Sequence, residues 1–124
     1  MGTTIMNHKI FLTAFDAGIS RAHCDASGTW RVEHLVADHR VTCLANDPSS
    51  PQIVFAGTRD GVLRSDDWGQ SWRLSGMDGW VVKSLAVSPH DSNIVYAGTK
   101  PALMFSSGDG GRTWAELTGF RRIP

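Results

Sequence analysis

Glutamate and lysine, the residues that usually cover exposed helix faces, are scarce: two Glu stand beside ten Asp, and three Lys beside nine Arg. That scarcity argues against a helical bundle. Acidic and basic residues cancel to a formal charge of zero, so no net field draws the chain to nucleic acid or anionic lipid. No apolar run approaches the ~20 residues that span a bilayer. The longest near the start, Ile10 to Phe15, is too short for a signal-peptide core and stops at Asp16. Position six is Met, not the Ser or Thr of a myristoylation signal. Cys24 and Cys43 could pair, but two cysteines are too few for a disulfide scaffold. Reduced thiols in a cytoplasmic protein are the expectation, although a cleaved leader would leave no trace here.

What is abundant points to sheet. Thirteen Gly and five Trp in 124 residues, with Asp-rich turns and 41% apolar residues, describe short strands with a packed core. Trp30, Trp72 and Trp114 recur every 42 residues, and their surroundings recur with them. Val41-Thr-Cys-Leu-Ala matches Val82-Lys-Ser-Leu-Ala, and Ile53-Val-Phe-Ala-Gly-Thr58 matches Ile94-Val-Tyr-Ala-Gly-Thr99. In the second unit, strand-like runs alternate with turn signals at Asn46–Pro51, Arg59-Asp60-Gly61 and Asp67–Gln70. Four short antiparallel strands in about 42 residues have the length and content of a propeller blade. A meander of this size cannot bury both faces alone and must stack on copies of itself. The expected fold is all-β, a partial β-propeller of about three four-stranded blades. The expected bounds are about 1–38, 39–79 and 80–118, with a lead-out over 119–124. In unit one, Ile10–Phe15 stands in for the Ile-Val-aromatic run and no inner strand is visible, so that blade is expected to be incomplete.

Each Trp closes a shared pattern. Ser65-x-Asp67-x-Gly69-x-Ser71-Trp72 and Ser107-x-Asp109-x-Gly111-x-Thr113-Trp114 both read S-x-D-x-G-x-[ST]-W. Unit one keeps Asp25, Thr29 and Trp30, but has His23 for the Ser and Ser27 for the Gly. The pattern resembles the Asp-box, or bacterial neuraminidase repeat, of sialidases, sortilin-type propellers, some endoglucanases and photosystem II stability factors. The resemblance implies hairpin corners on the rim away from the ligand face, and those families differ in activity. Physically, the Asp accepts turn amides, the Gly supplies a positive φ, Ser or Thr adds a bond, and Trp covers the hairpin. A catalyst is needed once, and an Asp in every unit fits a structural role.

No catalytic constellation stands out. A sialidase-like enzyme implies an Arg trio, a Tyr nucleophile with a Glu partner, and an Asp acid/base. The one tyrosine, Tyr96, sits in the register of Phe55 and reads as a core aromatic, while Glu33 and Glu116 occupy repeat-related places after the Trp. A glycosidase needs two carboxylates ~5–9.5 Å apart, which sequence cannot place. Arg21, Arg64, Arg73 and Arg112 recur at blade positions and read as solvated strand edges. The five histidines (His8, His23, His34, His39, His90) offer only His34 and His39 in one loop, without a third ligand, so no metal or other cofactor is expected. Cys43 reads as a small core residue. Gly108–Gly111 belongs to a corner and not to a phosphate loop, and Arg121-Arg122 is too short for nucleic-acid binding.

Propeller topology puts the blade-to-blade loops (His34–Arg40, Ser75–Trp80, Thr118 onward) on one face with the second-to-third-strand turns (Asp16–Gly18, Arg59–Gly61, Lys100–Ala102). His39, Arg40, Arg59, Asp60, Trp80 and Lys100 are the candidate contacts there. The expected function is a non-catalytic module that scaffolds, or binds a protein or glycan, through this face. The alternatives are part of a sialidase-like glycoside hydrolase and a photosystem-type assembly factor. Because propellers have ~4–8 blades, the chain is expected to be a piece of a longer propeller, or to assemble with itself into a ring.

Overall fold

The computed structural model describes residues 4–6, 9–15, 17–36 and 39–118. His8, Asp16 and the lead-out with Arg121-Arg122 lie outside the described residues. The chain forms twelve strands in three sheets. The first sheet comprises β1 (Thr4–Met6), β2 (Ile10–Phe15), β3 (Gly18–Cys24) and β4 (Trp30–Leu35). The second comprises β5 (Val41–Asn46), β6 (Val54–Thr58), β7 (Gly61–Ser65) and β8 (Arg73–Leu74), and the third β9 (Val81–Val87), β10 (Val95–Lys100), β11 (Met104–Ser107) and β12 (Ala115–Glu116). Each sheet is an antiparallel meander in chain order.

The first sheet is complete, contrary to expectation. Thr4, Ile5 and Met6 pair with Thr13, Leu12 and Phe11 as its inner strand. Three residues are too few to show a period-two pattern in sequence, yet Ile5 is buried against the second sheet. The last strands of the second and third sheets have two residues each, since the preceding corner absorbs the rest of the segment.

The sheets stack face to face, with β5 touching both β1 and β9. One apolar cluster, with Leu12, Ile19, Leu44, Val54, Ala56 and Leu63, fills the gap between the first and second sheets. The other, with Phe55, Val62, Val82, Leu85, Val95 and Phe105, fills the gap between the second and third. The consequence for burial is visible in β6 and β10, which carry nearly the same sequence. All five residues of β6 are buried because a sheet covers each face. Along β10 burial alternates, because only one face is covered. Tyr96 therefore keeps the register of Phe55, but it is 39% exposed and not the core aromatic that the repeat predicts.

Arginine joins the sheets. Arg21 and Arg64 were expected at solvated edges, but Arg21 is 5% exposed and its Nε donates to the Trp68 carbonyl at 3.0 Å. Arg64 donates to the Gly110 carbonyl at 2.7 Å and lies over the Phe55 ring. Each guanidinium crosses from the third strand of one sheet to the corner of the next. Thr42 adds a hydroxyl bond to the Val82 carbonyl across the same gap.

Phe55 is the largest fully buried side chain of the second gap, so Phe55→Ala is expected to cost about 3–5 kcal/mol. Urea unfolding followed by tryptophan fluorescence measures it; a loss below 1 kcal/mol would contradict this packing.

Candidate functional site

At one end of the stack lie the Asp corners. Ser65 ends β7 fully buried, and its hydroxyl donates to Asp67 at 2.7 Å while accepting the Gly69 N–H at 2.8 Å. The Asp67 carboxylate also accepts the Ser71 N–H at 2.9 Å and the Ser71 hydroxyl at 2.6 Å. Gly69 has φ +82°, a conformation in which a Cβ would also meet Leu12 of the first sheet. Trp72 donates its indole N–H to the Gly69 carbonyl and packs against the first apolar cluster.

The third sheet repeats this arrangement with Ser107, Asp109, Gly111, Thr113 and Trp114. The Trp114 indole additionally reaches the Ser75 carbonyl. In the first sheet Asp25 accepts from Ser27 and from the Thr29 amide, while Trp30 is exposed.

These bonds favour the ionised carboxylate. Burial pushes the Asp67 carboxyl up, but bonds from Ser71, Ser65 and Gln70 outweigh it and hold it near a pKa of about 2. Asp109 is held well below the usual range, first by the Thr113 hydroxyl, and Asp25 is lowered first by the Ser27 hydroxyl. Each carboxylate is bonded within its own hairpin, and the cleft that Asp109 borders with Arg64, Arg73 and Arg112 is not lined by Asp67. Such groups cap turns; they are poor proton donors near neutral pH.

The opposite end carries the loop face. The β6–β7 turn is tied to the loop after β8: Gly61 N–H donates to the Trp80 carbonyl, and Gly79 N–H to the Asp60 carboxylate at 2.6 Å. Two sequence candidates are thereby committed to structure. Asp60 braces the loop, and the Trp80 ring packs on Phe105 with centroids 4.8 Å apart. Arg59 and Lys100 share one cleft. With Lys83, Val81 and Pro101 they line a cleft of about 550 Å³ between the second and third sheets. Lys83 escaped the sequence reading because it lies inside a strand; its signal is a cation between the apolar Val82 and Leu85. Arg40 is exposed and its carbonyl accepts the Arg59 N–H, while His39 donates its own N–H to the Val36 carbonyl; neither lines the cleft among the described residues.

No other chemistry gathers. Tyr96 is on the third sheet and Glu33 on the first, where Glu33 pairs with Arg21 at 3.4 Å. His34 is bonded to Ser20 at 2.8 Å. Among the described residues no group of three or more His, Cys, Asp or Glu is placed to hold a metal ion. Cys24 and Cys43 are not bonded to each other; burial raises the Cys43 thiol.

Antiparallel four-stranded meanders stacked face to face around their first strands define a segment of a β-propeller. Solved propellers share it. A YCF48 structure bound to D1 peptide superposes with a TM-score of 0.69 at 16% identity, over 94% of this chain and 41% of that one. An ancestral GH74 enzyme gives 0.70 at 20% identity, over 94% and 18%, and YCF48 from Cyanidioschyzon merolae gives 0.67 at 13%, over 99% and 42%. The chain thus spans less than half the length of these structures, and the likeness is one of fold. No protein-family model and no curated protein matches it.

Two outcomes test the corner. Ser65→Ala removes one donor and strands the Gly69 amide, and is expected to cost about 1–3 kcal/mol in denaturant unfolding. The Asp67 pKa is lower in the fold (about 2) than its ordinary 3.8, so its stabilisation is complete above 3.8 and is lost as pH falls towards about 2. Thermal midpoints across that window are expected to fall less steeply in Asp67→Asn than in the wild type; equal slopes would show that Asp67 is not the group responsible.

Proposed function

We propose that this chain is a non-catalytic propeller module that binds an acidic segment of a partner protein through its loop face. The observation that carries the reading is the cleft at which Arg59, Lys83 and Lys100 converge from three different strand or turn positions. Among the described residues none of the three is in an ion pair and no acidic side chain lines the cleft. Assembling three cations in a chain of zero net charge costs mutual repulsion, which an anionic ligand relieves. One neighbouring propeller holds a peptide, which supports a protein ligand over a glycan. A glycoside hydrolase reading has the GH74 neighbours in its favour. Against it stand the saturated carboxylates, the separation of Tyr96 from Glu33 onto non-adjacent sheets, and the place of Glu116 in the row of Phe105, on the opposite face of the sheet from Tyr96.

A fluorescein-labelled peptide of alternating Glu and Ser tests the reading against its Gln-for-Glu counterpart. The acidic peptide is expected to bind, to weaken with salt, and to lose about tenfold in affinity in the Arg59→Ala/Lys83→Ala chain. Equal binding of the neutral peptide, or an unchanged affinity in the variant, would reject the cleft as its site.

A further inference from the structure

The chain builds the joint between neighbouring sheets twice, and the two copies differ in charge. At the first joint Arg21 of β3 reaches the Trp68 carbonyl, and its cross-strand partner Glu33 pairs with it. At the second joint Arg64 of β7 reaches the Gly110 carbonyl, but its cross-strand partner is Arg73. The receiving corners differ in the same sense, since Arg112 after β11 stands where Gln70 stands after β7. Three arginines against Asp66 and Asp109 leave the second joint one positive charge. Arg21 against Glu33 and Asp67 leaves the first joint one negative charge. The first joint packs without cations at these two places, so packing does not account for Arg73 and Arg112.

Glycine makes room beside these cations. Gly108 and Gly110 occupy the corner positions that Asp66 and Trp68 fill after β7. A Cβ on Gly110 would lie 2.9 Å from the Arg64 guanidinium, and nothing lies within 4 Å of one on Gly108. What remains is an open cleft of about 370 Å³ lined by Arg64, Arg73, Asn93 and Arg112, with Asp109 and the two glycines at its edge. Two of the guanidinium groups are fixed in place. Arg64 donates to the Gly110 carbonyl at 2.7 Å and to Asp66 at 2.8 Å, and lies over the Phe55 ring. Arg73 donates to the other oxygen of Asp66. Arg112 is in no ion pair among the described residues. The Asp109 carboxylate already accepts from Ser107, Thr113 and the Arg112 backbone amide.

We propose that this cleft binds a phosphate group. Guanidinium forks match the oxygens of a tetrahedral oxyanion, and charge-assisted bonds of this kind are the strong ones. A guanidinium carries five N–H donors; the bonds above engage two of them on Arg64 and one on Arg73, which leaves donors for a ligand. Asp66 holds those two groups side by side, Arg112 approaches from the facing corner, and the Asn93 amide adds a neutral donor. The phosphate is either free or borne on a side chain of a partner protein, and an open cleft of this size admits both. The site lies at the corner end, away from the loop-face cleft, so it is independent of the acidic-segment reading. Both sheets that form it are among the described residues, so it does not depend on what borders the ends of the stack.

Backbone amide shifts of the isotope-labelled full chain, followed while inorganic phosphate replaces chloride at constant ionic strength, test it. Saturable shifts are expected at Asn93, Gly108, Gly110 and Arg112. Arg73→Gln/Arg112→Gln is expected to weaken binding about tenfold with the urea midpoint retained. Arg112→Gln alone installs the residue that the corner after β7 already carries, so its weaker binding is not a folding defect. A phosphoserine peptide beside its serine counterpart identifies the source. An affinity about tenfold above that of inorganic phosphate, with shifts at the same amides, assigns the site to a phosphorylated partner; equal affinity assigns it to free phosphate. Shifts that grow linearly without saturating, shifts confined to Arg59, Lys83 and Lys100, or an unchanged affinity in the folded variants would each overturn the assignment.

Discussion

A four-stranded meander with apolar residues on both faces has no way to cover itself. Each face must meet another sheet, and every other feature of this chain is fitted to that requirement. The repeat supplies sheets of one shape, so that a Leu or Phe on the second strand can meet a glycine corner on the next sheet. The glycine is needed because a side chain there would occupy the space of Leu12 or Phe55. The arginines are needed because the carbonyls of Trp68 and Gly110 lie at a buried joint and require a donor. Packing of sheet on sheet is thus what the Asp corners, the tryptophans and the cross-sheet arginines have in common.

The corners and the loop face divide the two ends of the stack by chemistry. At the corner end, each carboxylate is surrounded by hydroxyls and amides of its own hairpin, which fixes the turn and leaves little basicity. At the loop end, the turns are braced by backbone bonds such as Gly61 to Trp80, and the long cationic side chains of Arg59, Lys83 and Lys100 line one cleft with no ion pair among the described residues. The same end has its turns tied from one sheet to the next, so the cleft is positioned by the stacking and not by any single loop.

Several elements could be read from residues because their signals are local. The Trp spacing and the Ile-Val-aromatic-Ala-Gly-Thr runs place β6 and β10, and S-x-D-x-G places the corners between β7 and β8 and between β11 and β12. The short strand Thr4–Met6 was missed, since its identity comes from pairing with β2 and not from periodicity. Arg21 and Arg64 looked like surface residues because their acceptors lie 47 and 46 positions away. Trp80, half-buried, packs on Phe105 across segments from different strands, a contact that no local signal announces. Lys83 was passed over because nothing local connects it to Arg59 and Lys100.

Sequence alone determined the class of fold, the number of repeats and the chemistry of the corners, because strand periodicity, turn residues and capping bonds act over a few positions. Only the tertiary structure decided which copy of each repeated residue is buried. Phe55 and Tyr96 occupy the same register in nearly identical strands, yet one is enclosed and the other is not. The reason is that burial belongs to the neighbour and not to the strand: among the described residues a sheet lies over Phe55, and none lies over Tyr96.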